Sequence, residues 1–153
     1  PEETEAAEET LCVTDNYYAV PEVILTKDSS IKSKEDLEGK TVGSHAGSTS
    51  EYAVQSLLDE GINLNSAPYN RHSEAFADLQ NGNIDAQVVE ETWAKQKMQD
   101  GDGIIMLEEP INTINAAGVI GHGKVKFTEA YNKALQELKD DGTYDEIVEK
   151  WFG

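Results

Sequence analysis

Cysteine is nearly absent: Cys12 is the single one in 153 residues, so no internal disulfide can form. It lies in EETLCVTD, which is neither a C-x-x-C pair nor a lipobox, and it reads as a small buried apolar residue. Basic residues are also scarce, with 12 Lys+Arg against 30 Asp+Glu and a formal charge of −18. Such a balance argues against nucleic acid or an anionic membrane surface as partner. Its ordinary role is only to solubilise the surface; the alternative is a cationic ligand steered by its field. Histidine is limited to His45, His72 and His122, scattered without metal-ligand spacing, and no EF-hand loop can be read among the carboxylates. Neither a metal nor another cofactor is expected. No apolar run is long enough to cross a bilayer, and no secretory leader is legible. We expect a mature soluble segment or a piece of a longer protein, with the size of one ordinary domain.

Helical and strand patterns alternate along most of the chain. PEETEAAEET (1–10) is acidic and alanine-rich, and is expected to be a frayed helix or a disordered arm. An extended run over Tyr17–Thr26 is interrupted by Pro21. Ser33 with Asp36 marks a short helix that Gly39 ends. Then come strand 40–45, helix 50–60, a short strand near Ala67–Tyr69, helix 73–81, strand 84–89 and helix 91–99. Strands at Ile104–Leu107 and Asn115–Ile120 precede two amphipathic helices, 127–140 and 143–152. This alternation predicts an α/β fold: an open, mostly parallel sheet flanked by helices.

Two strand-to-helix junctions carry the chemistry. In LEGKTVGSHAGSTSEYAVQSLL (38–59), a strand leads through Ala46-Gly47-Ser48-Thr49-Ser50 into a helix with Tyr52, Val54, Leu57 and Leu58. Such a loop leaves the first helical amides unpaired, backed by the positive end of the helix dipole, and suits an anion. Ser and Thr also cap helices whether or not a ligand binds. In LQNGNIDAQVVEETWAKQ (79–96), the strand Ile84–Val89 runs into Glu90-Glu91, which puts a carboxylate at its carboxyl end. Ligands of open α/β sheets bind beyond those ends. One anion cradle plus one carboxylate is what a zwitterion needs.

These segments, together with the ending NKALQELKDDGTYDEIVEKWFG (132–153), resemble the extracytoplasmic solute-binding proteins of family 3, which deliver polar amino acids to ABC transporters. TDNYYAVPEVILTKDSSIKSKEDLEGKTVG (14–43) looks like that family's passage from the first hinge into the second lobe. SEAFADLQNGNIDA (73–86) carries its G-x-x-D-A signature, and GTYDEIVEKWFG (142–153) its closing helix. The resemblance implies a type II periplasmic-binding-protein lobe. Residues 1–18 would be a remnant of the first lobe and first hinge, 19–115 the second, smaller lobe, and 116–153 the second hinge with C-terminal helices of the first lobe. Most of the first lobe would then be missing. The apolar stripe from Phe127 to Phe152 would need another partner, by folding back, by remaining exposed, or by forming a homodimer through the C-terminal helices.

The resemblance also assigns roles. Thr49, with Ser48 beside it and Gly47 before it, would hold the ligand carboxylate through amide and hydroxyl. Glu90, where the family usually has Asp, would pair with the ammonium. His45 and Val89 would line the side-chain pocket. Glu91 reads as a helix-start charge, Trp93 as packing, and Arg71 and His72 as loop surface. A gapless match puts Ala7 where the family has an Arg that clamps the carboxylate. The implied partners are an amino acid and an ABC permease, and the implied location is the periplasm or, as a lipoprotein, the cell surface. No catalytic constellation is evident, so no enzyme is expected. The alternatives are a cyclohexadienyl dehydratase-like enzyme or a receptor ligand-binding domain of the same fold.

Overall fold

The computed structural model describes residues 11–99 and 102–152. The reading of residues 1–10 as a frayed arm, and that of Ala7, fall outside the described residues. The chain divides into two compact units. One is Val20–Ile114; the other, among the described residues, comprises 11–19 and 115–152.

The elements follow in the order β1 (Cys12–Thr26), a single 3-10 turn (Lys34–Leu37), β2 (Thr41–His45), α1 (Thr49–Asp59), β3 (Asn65–Tyr69), α2 (His72–Asn81) and β4 (Ala86–Glu90). They continue with α3 (Glu91–Lys97), β5 (Ile105–Met106), β6 (Asn112–Ile120), α4 (Val125–Asp140) and α5 (Thr143–Phe152). The fold class is the expected α/β, with a sheet ordered β3-β2-β4-β1-β5 and β6 paired to β1. Its direction is mixed rather than mostly parallel. β2 runs parallel to β3 and β4, whereas β1 runs antiparallel to β4 and β5. β1 is also longer than expected, continuing through Pro21. Its pairing with β4 begins only at Glu22, so proline's missing N–H removes no bond from that ladder.

In the 20–114 unit the strands alternate between two cores. Ile24 and Val88 join Val42, Ala53, Val54 and Leu57 on the side covered by α1. Val23, Leu25 and Val89 join Ala75, Phe76, Leu79 and Ala94 on the side covered by α2 and α3. This is the period-2 alternation of a sheet buried on both faces. Gly43 marks the closest approach, since a Cβ there would stand 2.7 Å from Ile84 Cδ1 and 3.3 Å from Ala75 Cβ.

The G-x-x-D-A signature has a structural reading in this unit. Gly82 ends α2 at φ 75°, a left-handed cap that Asn83 completes by donating N–H to Asp78 O at 2.8 Å. The Asp85 carboxylate accepts the Thr41 amide at 2.8 Å and so ties the start of β2 to β4. Ala86 is fully buried between the strands.

In the other unit, Gly118 N–H donates to the buried Thr14 hydroxyl at 2.7 Å. Lys139 Nζ reaches Asn16 O at 2.8 Å, and Tyr144 Oη reaches Tyr17 O at 2.6 Å. Cys12 is half-buried, not buried as its composition suggested, because it opens β1. Of the apolar stripe on α4 and α5, Leu135 is buried, while Phe127 is 62% and Trp151 70% exposed.

Candidate functional site

β2, β3 and β4 run parallel, so their carboxyl ends, His45, Tyr69 and Glu90, lie along one edge of the sheet. His45 and Tyr69 are followed within three residues by the N-caps of α1 and α2, and Glu90 is itself the N-cap of α3, which brings the first turns of all three helices to that edge. β1 adds a fourth group from the opposite direction, because Glu22 is the register partner of Glu90.

Around the start of α1, most donors are already used inside the chain. Gly47, at φ 71°, donates its amide to Glu51 Oε2 at 2.7 Å. Ser48 turns inward: its amide and hydroxyl both donate to His45 O, at 3.2 and 2.7 Å, while its oxygen accepts Ser50 N–H at 3.2 Å. Ser48 is thus the N-cap, and its amide is not presented to a ligand. The Thr49 hydroxyl donates to Glu22 Oε1 at 2.5 Å and that of Ser50 to Glu22 Oε2 at 2.9 Å. Among the amides of residues 46–50, that of Thr49 alone has no partner among the described residues. The cradle therefore narrows to one N–H at the positive end of a helix.

Glu22, which no local sequence motif singles out, holds the start of α1 at this edge. It has no exposed surface, yet both its oxygens accept hydroxyl protons in the first turn of α1.

His72 departs from its expected place on the loop surface. Its side chain keeps 15% exposure, and its Nε2 stands 3.2 Å from Glu90 Oε2. Gln87, wholly buried, holds the His72 carbonyl through Nε2 at 3.0 Å. The His45 ring meets that of His72 edge-on at 4.8 Å, and Trp93 lies 5.5 Å from it and 5.6 Å from Phe76. Burial pushes the His72 imidazole below its ordinary value; Glu90 opposes this and His45 adds to it. Burial thus favours the neutral imidazole, which lies against Glu90 without cancelling a carboxylate charge.

Of the other expected pocket residues, Val89 is corrected. It is fully buried in the core beneath α2 and α3, one step out of phase with Glu90, and offers no surface to a ligand. His45 and Gly47 stand at the edge itself, partly and largely exposed. Glu91 opens α3 and pairs with Lys95 at 3.2 Å. Arg71 is exposed at the N-cap of α2. Among the described residues no group of His, Cys, Asp and Glu could hold a metal ion.

An α/β lobe with its polar groups gathered where parallel strands meet helix N-termini defines a ligand-binding class of protein. Residues 2–153 match the bacterial extracellular solute-binding proteins, family 3, and the chain belongs to that family. It is 30% identical over 142 residues to the arginine-binding extracellular protein ArtP of Bacillus subtilis (strain 168), across 91% of this chain and 55% of that protein. It is 31% identical over 144 residues to ABC transporter arginine-binding protein 1 of Escherichia coli (strain K12), across 91% of this chain and 58% of that one. A solved structure of an ancestral arginine-binding protein bound to arginine superposes with TM-score 0.77 at 35% identity, covering 99% of this chain and 69% of that chain. The chain thus spans little more than half the length of the curated relatives it matches.

Proposed function

We propose that this chain supplies one wall of the ligand site in an extracytoplasmic substrate-binding protein of an ABC importer, which captures a polar amino acid and delivers it to the permease. Glu90 takes the ligand ammonium and the Thr49 N–H takes the carboxylate, with His45 and Gly47 flanking them. A cationic side chain such as that of arginine is the first candidate, since the relatives named above bind arginine and the chain carries a charge of −18. The observation that carries the reading is the pairing, at one sheet edge, of the Glu90 carboxylate with the helix N-terminal amide of Thr49, which has no partner among the described residues. A zwitterion needs both.

In this reading residues 19–115 are the second lobe, and the flanking segments belong to the hinges and the first lobe. The exposed apolar face of α4 and α5 then meets the rest of that lobe rather than a second copy. The protein works in the periplasm or at the cell surface, and by binding rather than by catalysis. A thermal-shift screen of the full-length protein with the twenty amino acids tests this, because a ligand bound only by the folded state raises the melting temperature. A rise with arginine or another polar amino acid is the expected result. No shift with any of the twenty would remove the proposal.

A further inference from the structure

His72 approaches Glu90 from the start of α2, and the inference drawn from it rests on the assignment of Glu90 to the ligand ammonium. The charged groups acting on His72 are Glu90, from the end of β4, and His45, from the end of β2. The Trp93 ring, 5.5 Å away, and the Gln87 amide, bonded to the His72 carbonyl, are neutral. His72 Nδ1 is buried and has no partner among the described residues, so protonating the ring would bury an N–H without an acceptor. The neutral ring packs against the Glu90 carboxylate and restricts it without cancelling its charge. The imidazolium would place a full positive charge 3.2 Å from the same oxygen.

We propose that His72 is the positioning residue for Glu90 and that its protonated form competes with the ligand ammonium for that carboxylate, making ligand capture proton-linked. An ammonium arriving at Glu90 meets like charge if His72 is protonated and an unopposed carboxylate if it is neutral. Linkage makes the effect reciprocal: ligand on Glu90 lowers the proton affinity of His72 by the factor by which the proton lowers ligand affinity. The ligand-free titration already lies below the ordinary imidazole value, so affinity is full at and above neutrality. It falls as pH drops through the His72 titration, at most about tenfold per pH unit if competition is complete.

The test is calorimetry of L-arginine binding to the full-length protein between pH 8 and pH 5.5, the lower limit chosen to stay above ordinary carboxylate titration. The wild type is expected to weaken progressively as pH falls toward 5.5, by no more than about tenfold because the titration lies below the ordinary imidazole value, whereas His72→Gln, whose amide does not titrate, should stay flat. A second readout is the imidazole NMR titration of His72 in the wild type, which saturating L-arginine should shift to lower pH. That readout decides the matter if His72→Gln does not fold. A flat wild-type profile, a pH step that survives in His72→Gln, or a His72 titration unmoved by arginine would each overturn the proposal. Binding with a flat profile overturns the proton linkage alone. No binding of arginine or of any other amino acid at any pH overturns the reading of Glu90 on which it rests.

Discussion

Replacing Glu22 by Ala tests whether the start of α1 is held by a buried carboxylate. The Glu22 side chain has no exposed surface and accepts the Thr49 and Ser50 hydroxyls at 2.5 and 2.9 Å. Ser50 is also wholly buried, so truncation leaves its hydroxyl without acceptor or water, at about 1–3 kcal/mol. Thr49 is partly exposed and can turn to solvent, which limits its share. One buried methylene, Cγ, is lost as well, at about 0.8 kcal/mol. Relief of the desolvated charge works in the opposite direction. The net expectation is a loss of about 2–4 kcal/mol for Glu22→Ala, or a fall of about 10 °C or more in melting temperature for a unit of this size. Glu22→Gln keeps one acceptor and the shape, and should cost less than about half as much. Thermal unfolding followed by far-UV circular dichroism measures both. If Glu22→Ala melts with the wild type, the carboxylate does not hold the helix start.

Gly43→Val should lose about 1–3 kcal/mol by overpacking, since even a Cβ there meets Ile84 and Ala75 within 3.3 Å; urea unfolding would show no change if the strand can shift. Tyr69 should be the last tyrosine to ionise, because burial and then Asp78, which accepts its hydroxyl proton at 2.7 Å, push it up to about 12. With its folded value raised, the stability from this group is full below about pH 10 and is lost as pH climbs toward 12, and Tyr69→Phe should abolish the latest step of an ultraviolet alkaline titration. Gly47→Ala should both destabilise the α1 loop, by about 1 kcal/mol of left-handed strain, and weaken ligand binding; equal affinity in calorimetry would dissociate the loop from the site.

The junctions that build the site were legible locally. Polar residues closing an apolar strand, followed at once by a capped helical pattern, gave both β2–α1 and β4–α3. Contacts between residues distant in the chain were not. Glu22 meets Thr49 27 positions away and Ser50 28 away, and nothing in the run VPEVIL names those partners. A charged residue in phase with the core residue Ile24 was nevertheless a signal of burial with partners. His72 is likewise separated from Glu90 by a helix and a strand start, so it read as loop surface. The exclusion of Val89 was available from strand periodicity alone, because it alternates with Val88 and Glu90. The direction of β1 was not, since hydrophobic alternation is the same for parallel and antiparallel neighbours when both faces are buried.

Calorimetry of L-arginine with the full-length protein, wild type against Glu90→Ala, tests the central assignment most directly. If Glu90 receives the ligand ammonium, its removal should cost more than about 1.5 kcal/mol, or at least about tenfold in affinity at neutral pH, as charged hydrogen bonds do. Arginine bound as tightly by Glu90→Ala as by the wild type would place the ammonium elsewhere and contradict the account.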